Sequence, residues 1–221
     1  GPEVMRQVFG SADGYPELTV LDSSIPDRVV DVGRSLDIAR TLFVMSSKSG
    51  STVEPNALYA HFRSVAEREV EHTGHHFAAI TDEGTSLEGL AHDQGFRSVF
   101  LNPGDIGGRC SVLSYFGLVP AALMGVDIAA ILNRAESMVE ACRPGPATGD
   151  NPGAWLGAAM GSLALGGRDK LTLVCSPSIS SFGLWAEQLL AESTGKEGKG
   201  IVPVAGEPLV SSSAYGGDRL F

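Results

Sequence analysis

The chain has few cysteines and no cluster of basic residues. Its three cysteines, Cys110, Cys142 and Cys175, are far apart and form neither a CxxC pair nor a zinc-binding spacing. We therefore expect reduced thiols, and neither a disulfide framework nor a metal site. Lys and Arg number 16 against 26 Asp and Glu, which gives a formal net charge of −10. Because nucleic-acid surfaces need clustered cations, this balance argues against a nucleic-acid partner.

The chain also lacks a long apolar run and a leader pattern. Its longest apolar stretch, LVPAALMGVDIAAIL at 118–132, is shorter than a membrane span and contains Asp127. The opening GPEVMRQVFG has neither a basic nor an apolar leader region, so no signal peptide is predicted. We expect a cytoplasmic protein with no membrane partner.

What the sequence does contain is an alternation of short apolar runs with helical patterns. Strands are predicted at 17–23, 41–45, 75–81, 97–102, 170–176 and 200–206, and helices at 26–37, 53–73, 85–95, 154–165, 179–193 and through most of 111–141. This alternation predicts an α/β fold with a mostly parallel sheet covered by helices on both faces, a three-layer α/β/α sandwich.

A proline- and glycine-rich segment, RPGPATGDNPG at 143–153, predicts a linker between two such regions. We assign residues 1–145 to a first α/β subdomain that lacks its first strand and loop. Residues 146–221 are assigned to the linker and to an incomplete second subdomain, whose YGGDRLF ending is typical of the beginning of another strand. The chain is thus expected to be a piece of a longer protein.

The stretch FVMSSKSGSTVEPN at 43–56 places a cluster of hydroxyl groups between a predicted strand and a predicted helix. Its polar donors are Ser47, Lys48, Ser49, Ser51 and Thr52, and Gly50 allows a close approach of the backbone. A loop of this kind at the carboxyl end of a parallel strand indicates an anion site. The alternative is an ordinary helix cap, with Ser51 or Thr52 at the N-cap position and Glu54 in the first turn.

Three ordered segments resemble the sugar isomerase domain in the form found in glucose-6-phosphate isomerases. SKSGSTVEP (47–55) is similar to its phosphosugar loop, and GDIGGRCSVLSYFGLVPAALMGVD (104–127) to its GGR-S-x-x-S-x-x-G-L-x-P signature. QLLAESTGKEGKG (188–200) is similar to its Q-L-x-x-E-S-x-G-K segment. The resemblance covers most of the chain and is closest in style to the isomerase half of bacterial transaldolase/glucose-6-phosphate isomerase fusions.

The resemblance implies an aldose–ketose isomerase that interconverts glucose 6-phosphate and fructose 6-phosphate through an enediolate. The residues that it would assign to the substrate phosphate are Ser47, Lys48, Ser49 and Thr52, with Gly50 and Gly108 in support. Arg109 would stabilise the enediolate charge, because a guanidinium does not lose its proton. Glu192 would be the base that moves a proton between C1 and C2. No cofactor and no metal are implied.

The sequence departs from the family pattern in several places. A glycine–serine loop ahead of the first helix, a ring-opening histidine and a late catalytic lysine are not found, so we expect this 221-residue chain to bind phosphosugar weakly and to isomerise slowly or not at all. The HTGHH segment (72–76) could suggest a metal site. However, its last two histidines are predicted to point to opposite faces of a strand, so no metal role is assigned.

The intact protein is expected to be a homodimer that acts on a small phosphosugar, and fusion to a transaldolase domain is a further possibility. The alternative function is a non-catalytic phosphosugar sensor that uses the same fold. A sensor needs the serine-rich loop but not Arg109 and Glu192 directed at the reacting carbons. It also usually carries a basic DNA-binding module, and none is visible.

Overall fold

The computed structural model describes residues 1–145 and 150–221, and shows helices alternating with short strands. The helices are α1 (Pro2–Phe9), α2 (Pro26–Ser35), α3 (Val53–Ala66), α4 (Ser86–Asp93), α5 (Tyr115–Leu123), α6 (Ile128–Ala141), α7 (Pro152–Leu165) and α8 (Phe182–Thr194). The strands are β1 (Phe43–Ser46), β2 (Phe77–Asp82), β3 (Ser98–Asn102), β4 (Lys170–Leu173), β5 (Val202–Ala205) and β6 (Arg219–Leu220).

The strands form two parallel three-stranded sheets. The first has the order β1-β2-β3 and the second the order β5-β4-β6. The α/β class with parallel pairing, predicted from the alternation of strands and helices, is confirmed. The strand predicted at the end of the chain is also confirmed, as β6.

The chain divides into two compact units. The central unit is Leu18–Pro120 and contains the first sheet; the split unit combines Gly1–Glu17 with Ala121–Phe221 and contains the second. The assignment of residues 1–145 and 146–221 to two subdomains stays a prediction. Part of the predicted linker, residues 146–149, lies outside the described residues.

The core of the central unit is aromatic and lies against β2. Phe77 is 1% exposed, and its ring is 5.0 Å from that of Phe43, 5.3 Å from Tyr59 and 5.5 Å from Phe96. Five of the six β2 residues are buried. A strand buried on both faces is what a parallel sheet covered by helices requires, and this burial holds the carboxyl ends of the three strands in place.

Three local predictions are wrong. Residues 17–23 form no strand, although Leu21 packs against the aromatic core. The helix predicted at 53–73 ends at Ala66, because the chain turns there to enter β2. The HTGHH segment forms a short 3₁₀ helix, Thr73–His76, and not the beginning of a strand.

Neither a spanning helix nor a metal-binding cluster is found among the described residues. No helix within residues 1–145 and 150–221 is long and apolar enough to cross a membrane. In the same ranges, no group of three or more His, Cys, Asp or Glu residues is arranged to hold a metal ion.

Candidate functional site

The serine loop, residues 47–52, begins where β1 ends and leads into α3. The Ser47 N–H donates to the Ile80 carbonyl at 3.0 Å, so the loop starts beside the carboxyl end of β2. Ligands of open parallel sheets bind at this edge, because the connections that leave the strands there form a crevice.

Gly50 fixes the shape of the serine loop. Its φ of 68° lies in the left-handed region, and a Cβ there would be 2.8 Å from the Leu87 backbone nitrogen. The Gly50 carbonyl accepts hydrogen bonds from Asn56 Nδ2 at 3.2 Å and from Ser86 Oγ at 3.1 Å. Only glycine allows this close approach without strain, so the loop is fastened to the beginnings of both α3 and α4.

The hydroxyl groups of the loop contact one another. Ser47 Oγ donates to Thr52 Oγ1 at 3.3 Å, and the Ser49 and Ser51 hydroxyls are 3.0 Å apart. Thr52 occupies the N-cap position of α3, yet within the described residues its side chain makes no capping hydrogen bond. Thr52 is therefore at the position that the helix-cap alternative requires, but the hydrogen bond of a helix cap is not formed among residues 1–145 and 150–221. The first N–H groups of α3 are those of Val53 and Glu54, since Pro55 has none, and they lie at the loop without a side-chain cap.

Lys48 joins the serine loop to the ends of the next two strands. Its ammonium forms an ion pair with Asp82, the last residue of β2, and donates to the Gly104 carbonyl at 3.1 Å. The Lys48 and Asp82 side chains are 36% and 15% exposed. One side chain thus connects the loop after β1 to the last residue of β2 and to the loop after β3.

Arg109 lies in the segment that follows β3. It is half-buried and lies in a 3₁₀ helix, Gly108–Leu113, where Ser111 Oγ donates to the Gly108 carbonyl at 2.7 Å. Gly117 packs so closely behind this turn that a Cβ would be 2.0 Å from the Val112 carbonyl oxygen. We call residues 103–113 the Arg109 segment. The Lys48 hydrogen bond to Gly104 brings the beginning of this segment, five residues before Arg109, next to the serine loop.

Glu192 lies on the last turn of α8, in the split unit, and is exposed. Gln188 Nε2 donates to its Oε2 at 3.5 Å, and Lys196 Nζ donates to its backbone carbonyl at 2.9 Å. The structure thus brings Ser47, Lys48, Ser49, Thr52 and the Arg109 segment together in one unit. Proximity of Glu192 to them stays a prediction.

Sequence reasoning did not identify four residues that support the loop: Asn56, Asp82, Ser86 and Gly104. Each contacts the serine loop from another element or from the first turns of α3. One signal was present, since Asp82 ends a buried strand of the same sheet and so falls on the same edge.

A parallel α/β fold with uncapped helix N–H groups and several hydroxyls at a strand end is typical of proteins that bind small anions. A model of the phosphoglucose isomerase family matches residues 1–202. The chain belongs to the phosphoglucose isomerase family.

Curated relatives agree with this assignment. The chain is 34% identical over 199 residues to the probable glucose-6-phosphate isomerase of Methanococcus maripaludis, covering 89% of this chain and 44% of that protein. It is 38% identical over 164 residues to the glucose-6-phosphate isomerase of Heliobacterium modesticaldum, covering 72% and 36%. The chain therefore spans less than half the length of these relatives.

Two solved structures share the fold. A hypothetical protein from Thermus thermophilus superposes with a TM-score of 0.82 and 27% identity, over 92% of this chain and 49% of that one. A glucose-6-phosphate isomerase from Chlamydia trachomatis superposes with a TM-score of 0.74 and 24% identity, over 92% and 40%. The second similarity shows the fold alone.

Proposed function

We propose that the protein to which this chain belongs is an isomerase that interconverts glucose 6-phosphate and fructose 6-phosphate. Membership in the phosphoglucose isomerase family supports this reaction class. The single observation that carries the proposal is the link between the serine loop and the Arg109 segment through Lys48. A sugar phosphate held by the loop would present its carbon chain toward the loops that surround it.

In this proposal the phosphate is bound by the donors at the end of β1. The hydroxyls of Ser47, Ser49 and Thr52 and the first N–H groups of α3 supply neutral donors, and Gly50 holds the loop in the required conformation. Such local binding explains how a protein with a net charge of −10 accommodates an anionic substrate.

The proton transfer is assigned to Glu192 and the charge stabilisation to Arg109. Glu192 removes a proton from C2 or C1 of the opened sugar and returns it to the neighbouring carbon, which general base catalysis by a carboxylate allows. Arg109 stabilises the negative oxygen of the enediolate, because its guanidinium remains charged throughout. The exposure of Glu192 is consistent with access by a substrate.

The test is a coupled assay for conversion of fructose 6-phosphate to glucose 6-phosphate, with the chain extended to its natural boundaries. We expect Glu192→Gln to lower kcat by about 10²–10⁴-fold, the usual contribution of a general base. Glu187→Gln is the matched control, because Glu187 is an exposed carboxylate on the same helix, and it should leave kcat unchanged.

Three other outcomes are informative. Full activity in Glu192→Gln would move the base to another residue. Saturable binding of sugar phosphate without turnover would favour the sensor function. Full activity in the isolated 221-residue chain would contradict our expectation that this portion alone isomerises slowly or not at all.

The assembly of the intact protein belongs to the same proposal. We expect a homodimer, and a fused transaldolase domain stays a prediction from the resemblance. Analytical ultracentrifugation of the extended chain tests the first point: a monomer with full activity would contradict it.

A further inference from the structure

Lys48 is held at the end of β2 by both its main chain and its side chain. Its carbonyl accepts hydrogen bonds from the Asp82 N–H at 3.2 Å and from Thr81 Oγ1 at 3.4 Å. Its ammonium pairs with the Asp82 carboxylate and donates to the Gly104 carbonyl. These two contacts use two of the three N–H donors of the ammonium.

Asp82 depends on this ion pair. Its side chain is 15% exposed, and its second oxygen, Oδ1, is buried with no hydrogen-bond partner in the part of the chain that the structure describes. A buried carboxylate that loses its counterion is strongly destabilised, because desolvation is no longer offset by Coulomb attraction. The ion pair with Lys48 therefore offsets the cost of burying the Asp82 carboxylate.

Gly104 transmits this fixed position to the Arg109 segment. The Ile106 N–H donates to the Pro103 carbonyl at 3.3 Å, which closes a tight turn around Gly104. The Cys110 N–H donates to the Gly107 carbonyl at 2.9 Å and begins the 3₁₀ helix that carries Arg109. Arg109 thus lies five residues after Gly104 in the sequence, and the Gly104 carbonyl is hydrogen-bonded to Lys48.

We propose that Asp82 is a positioning residue: through Lys48 and the Gly104 carbonyl it holds the Arg109 segment beside the serine loop. The catalytic importance of this positioning role of Asp82 rests on the proposed isomerase function. Lys48 then acts as a structural clamp, and the phosphate is bound by hydroxyl and N–H groups. This replaces the role of phosphate ligand that the family resemblance implies for the Lys48 ammonium.

The first test is hydrogen–deuterium exchange of residues 103–109 in the 221-residue chain. Asp82→Asn preserves size and removes the charge, and we expect it to speed exchange in this segment by about 10-fold or more, because the segment loses its tether. Glu83→Gln is the matched control, since Glu83 is the adjacent, exposed carboxylate. It should leave exchange unchanged.

Lys48→Met and the double variant Lys48→Met/Asp82→Asn complete a cycle. A clamp predicts that Asp82→Asn and the double variant speed exchange of residues 103–109 equally, because each removes the same link, and that Lys48→Met speeds it at least as much. The double variant also keeps the test decisive if Lys48→Met folds poorly, since it leaves no unpaired carboxylate at position 82. Additive effects, or wild-type exchange in the double variant, would overturn the clamp.

Binding of inorganic phosphate, measured by calorimetry, separates a clamp from a ligand. We expect Asp82→Asn and the double variant to change the Kd by less than about 3-fold, because the loop hydroxyls and N–H groups remain. Tighter binding in Asp82→Asn together with weaker binding in Lys48→Met would show that the freed ammonium contacts the anion, and the proposal would fail.

The extended chain supplies a kinetic readout. We expect Asp82→Asn to lower kcat by about 10–100-fold with little change in KM, as for a misplaced catalytic group. A rise in KM of about 10–100-fold with unchanged kcat would contradict a positioning role for Asp82. If the wild-type extended chain does not isomerise, the proposed function fails, and the exchange cycle still decides the clamp.

Discussion

The central and split units use the same kind of parallel sheet, but the central strand of the sheet is buried more completely in the central unit, where five of six β2 residues are buried. In the central unit, Phe77 is 1% and Ile80 is 0% exposed. In the split unit, the central strand β4 has two buried residues of four, and α7 has none although it is strongly apolar. Trp155 and Leu165 on α7 are 64% and 83% exposed.

This difference shows where each unit obtains its stability. The central unit gains most from apolar burial against β2, which scales with the area removed from water. The split unit has several partly exposed ion pairs, such as Arg219–Glu207, Lys170–Asp218 and Arg6–Glu3, and exposed pairs of this kind each add little stability because solvent screens them. The serine loop lies on the unit with the deep core, so its geometry is the better supported.

The largest expected effect comes from removing the same ring in each unit. Phe77→Ala should lower the free energy of unfolding by about 3–5 kcal/mol, because it leaves a cavity among three aromatic rings. Phe182→Ala should cost only about 1 kcal/mol, since Phe182 is already 40% exposed. Urea denaturation followed by circular dichroism measures both, and equal losses would refute the comparison.

An intermediate effect is expected from two glycines with positive φ. Gly50→Ala should cost about 2–4 kcal/mol, because φ strain adds to a contact with the Leu87 backbone. Gly198→Ala, in the split unit, meets no atom within 4 Å and should cost about 1 kcal/mol from strain alone. Thermal unfolding of the two variants compares them directly. A loss of stability in Gly50→Ala no larger than that in Gly198→Ala would show that the serine loop adapts.

The smallest effect concerns the pH dependence of a surface pair in the split unit. The hydrogen bond from Arg6 lowers the pKa of Glu3 to about 2. A carboxyl group with a lowered pKa stabilises the fold above its unfolded pKa, near 4.5, and this stability is lost as pH falls through about 2. Because the Glu3 side chain is 35% exposed, solvent screening keeps the contribution below about 1 kcal/mol.

Arg6→Gln tests this assignment. The pKa of Glu3, followed by carbon-13 NMR, should rise toward its ordinary value. The difference in unfolding free energy between wild type and variant should be present at pH 6 and should disappear near pH 2. A Glu3 pKa that stays low in Arg6→Gln would assign the shift to other neighbours.

Much of the fold was predictable because it depends on local pattern. The strands β1, β2 and β3 were predicted within about two residues, since their apolar runs are short and bounded by polar residues or glycine. Residues 17–23 have a similar composition but form no strand, because a strand exists only where a neighbouring backbone is available for pairing. The amino-acid composition of residues 17–23 does not show whether such a neighbouring strand exists.

The candidate site divides in the same way. The Ser/Thr/Gly composition of residues 47–52, with Lys48 among them, predicts an anion loop, which stays a prediction. The contacts that hold this loop join residues far apart in sequence, such as Lys48 with Asp82 and Gly50 with Ser86. No local pattern predicts them.

The sequence by itself determined the α/β class, the family and the position of the serine loop, because all three depend on residue types in a fixed local order. The tertiary structure alone decided that the Lys48 ammonium pairs with the partly buried Asp82 and donates to the Gly104 carbonyl. The physical reason is that the energy of a charge depends on its burial and its partners, and both arise only when separate strands end at one edge of a sheet.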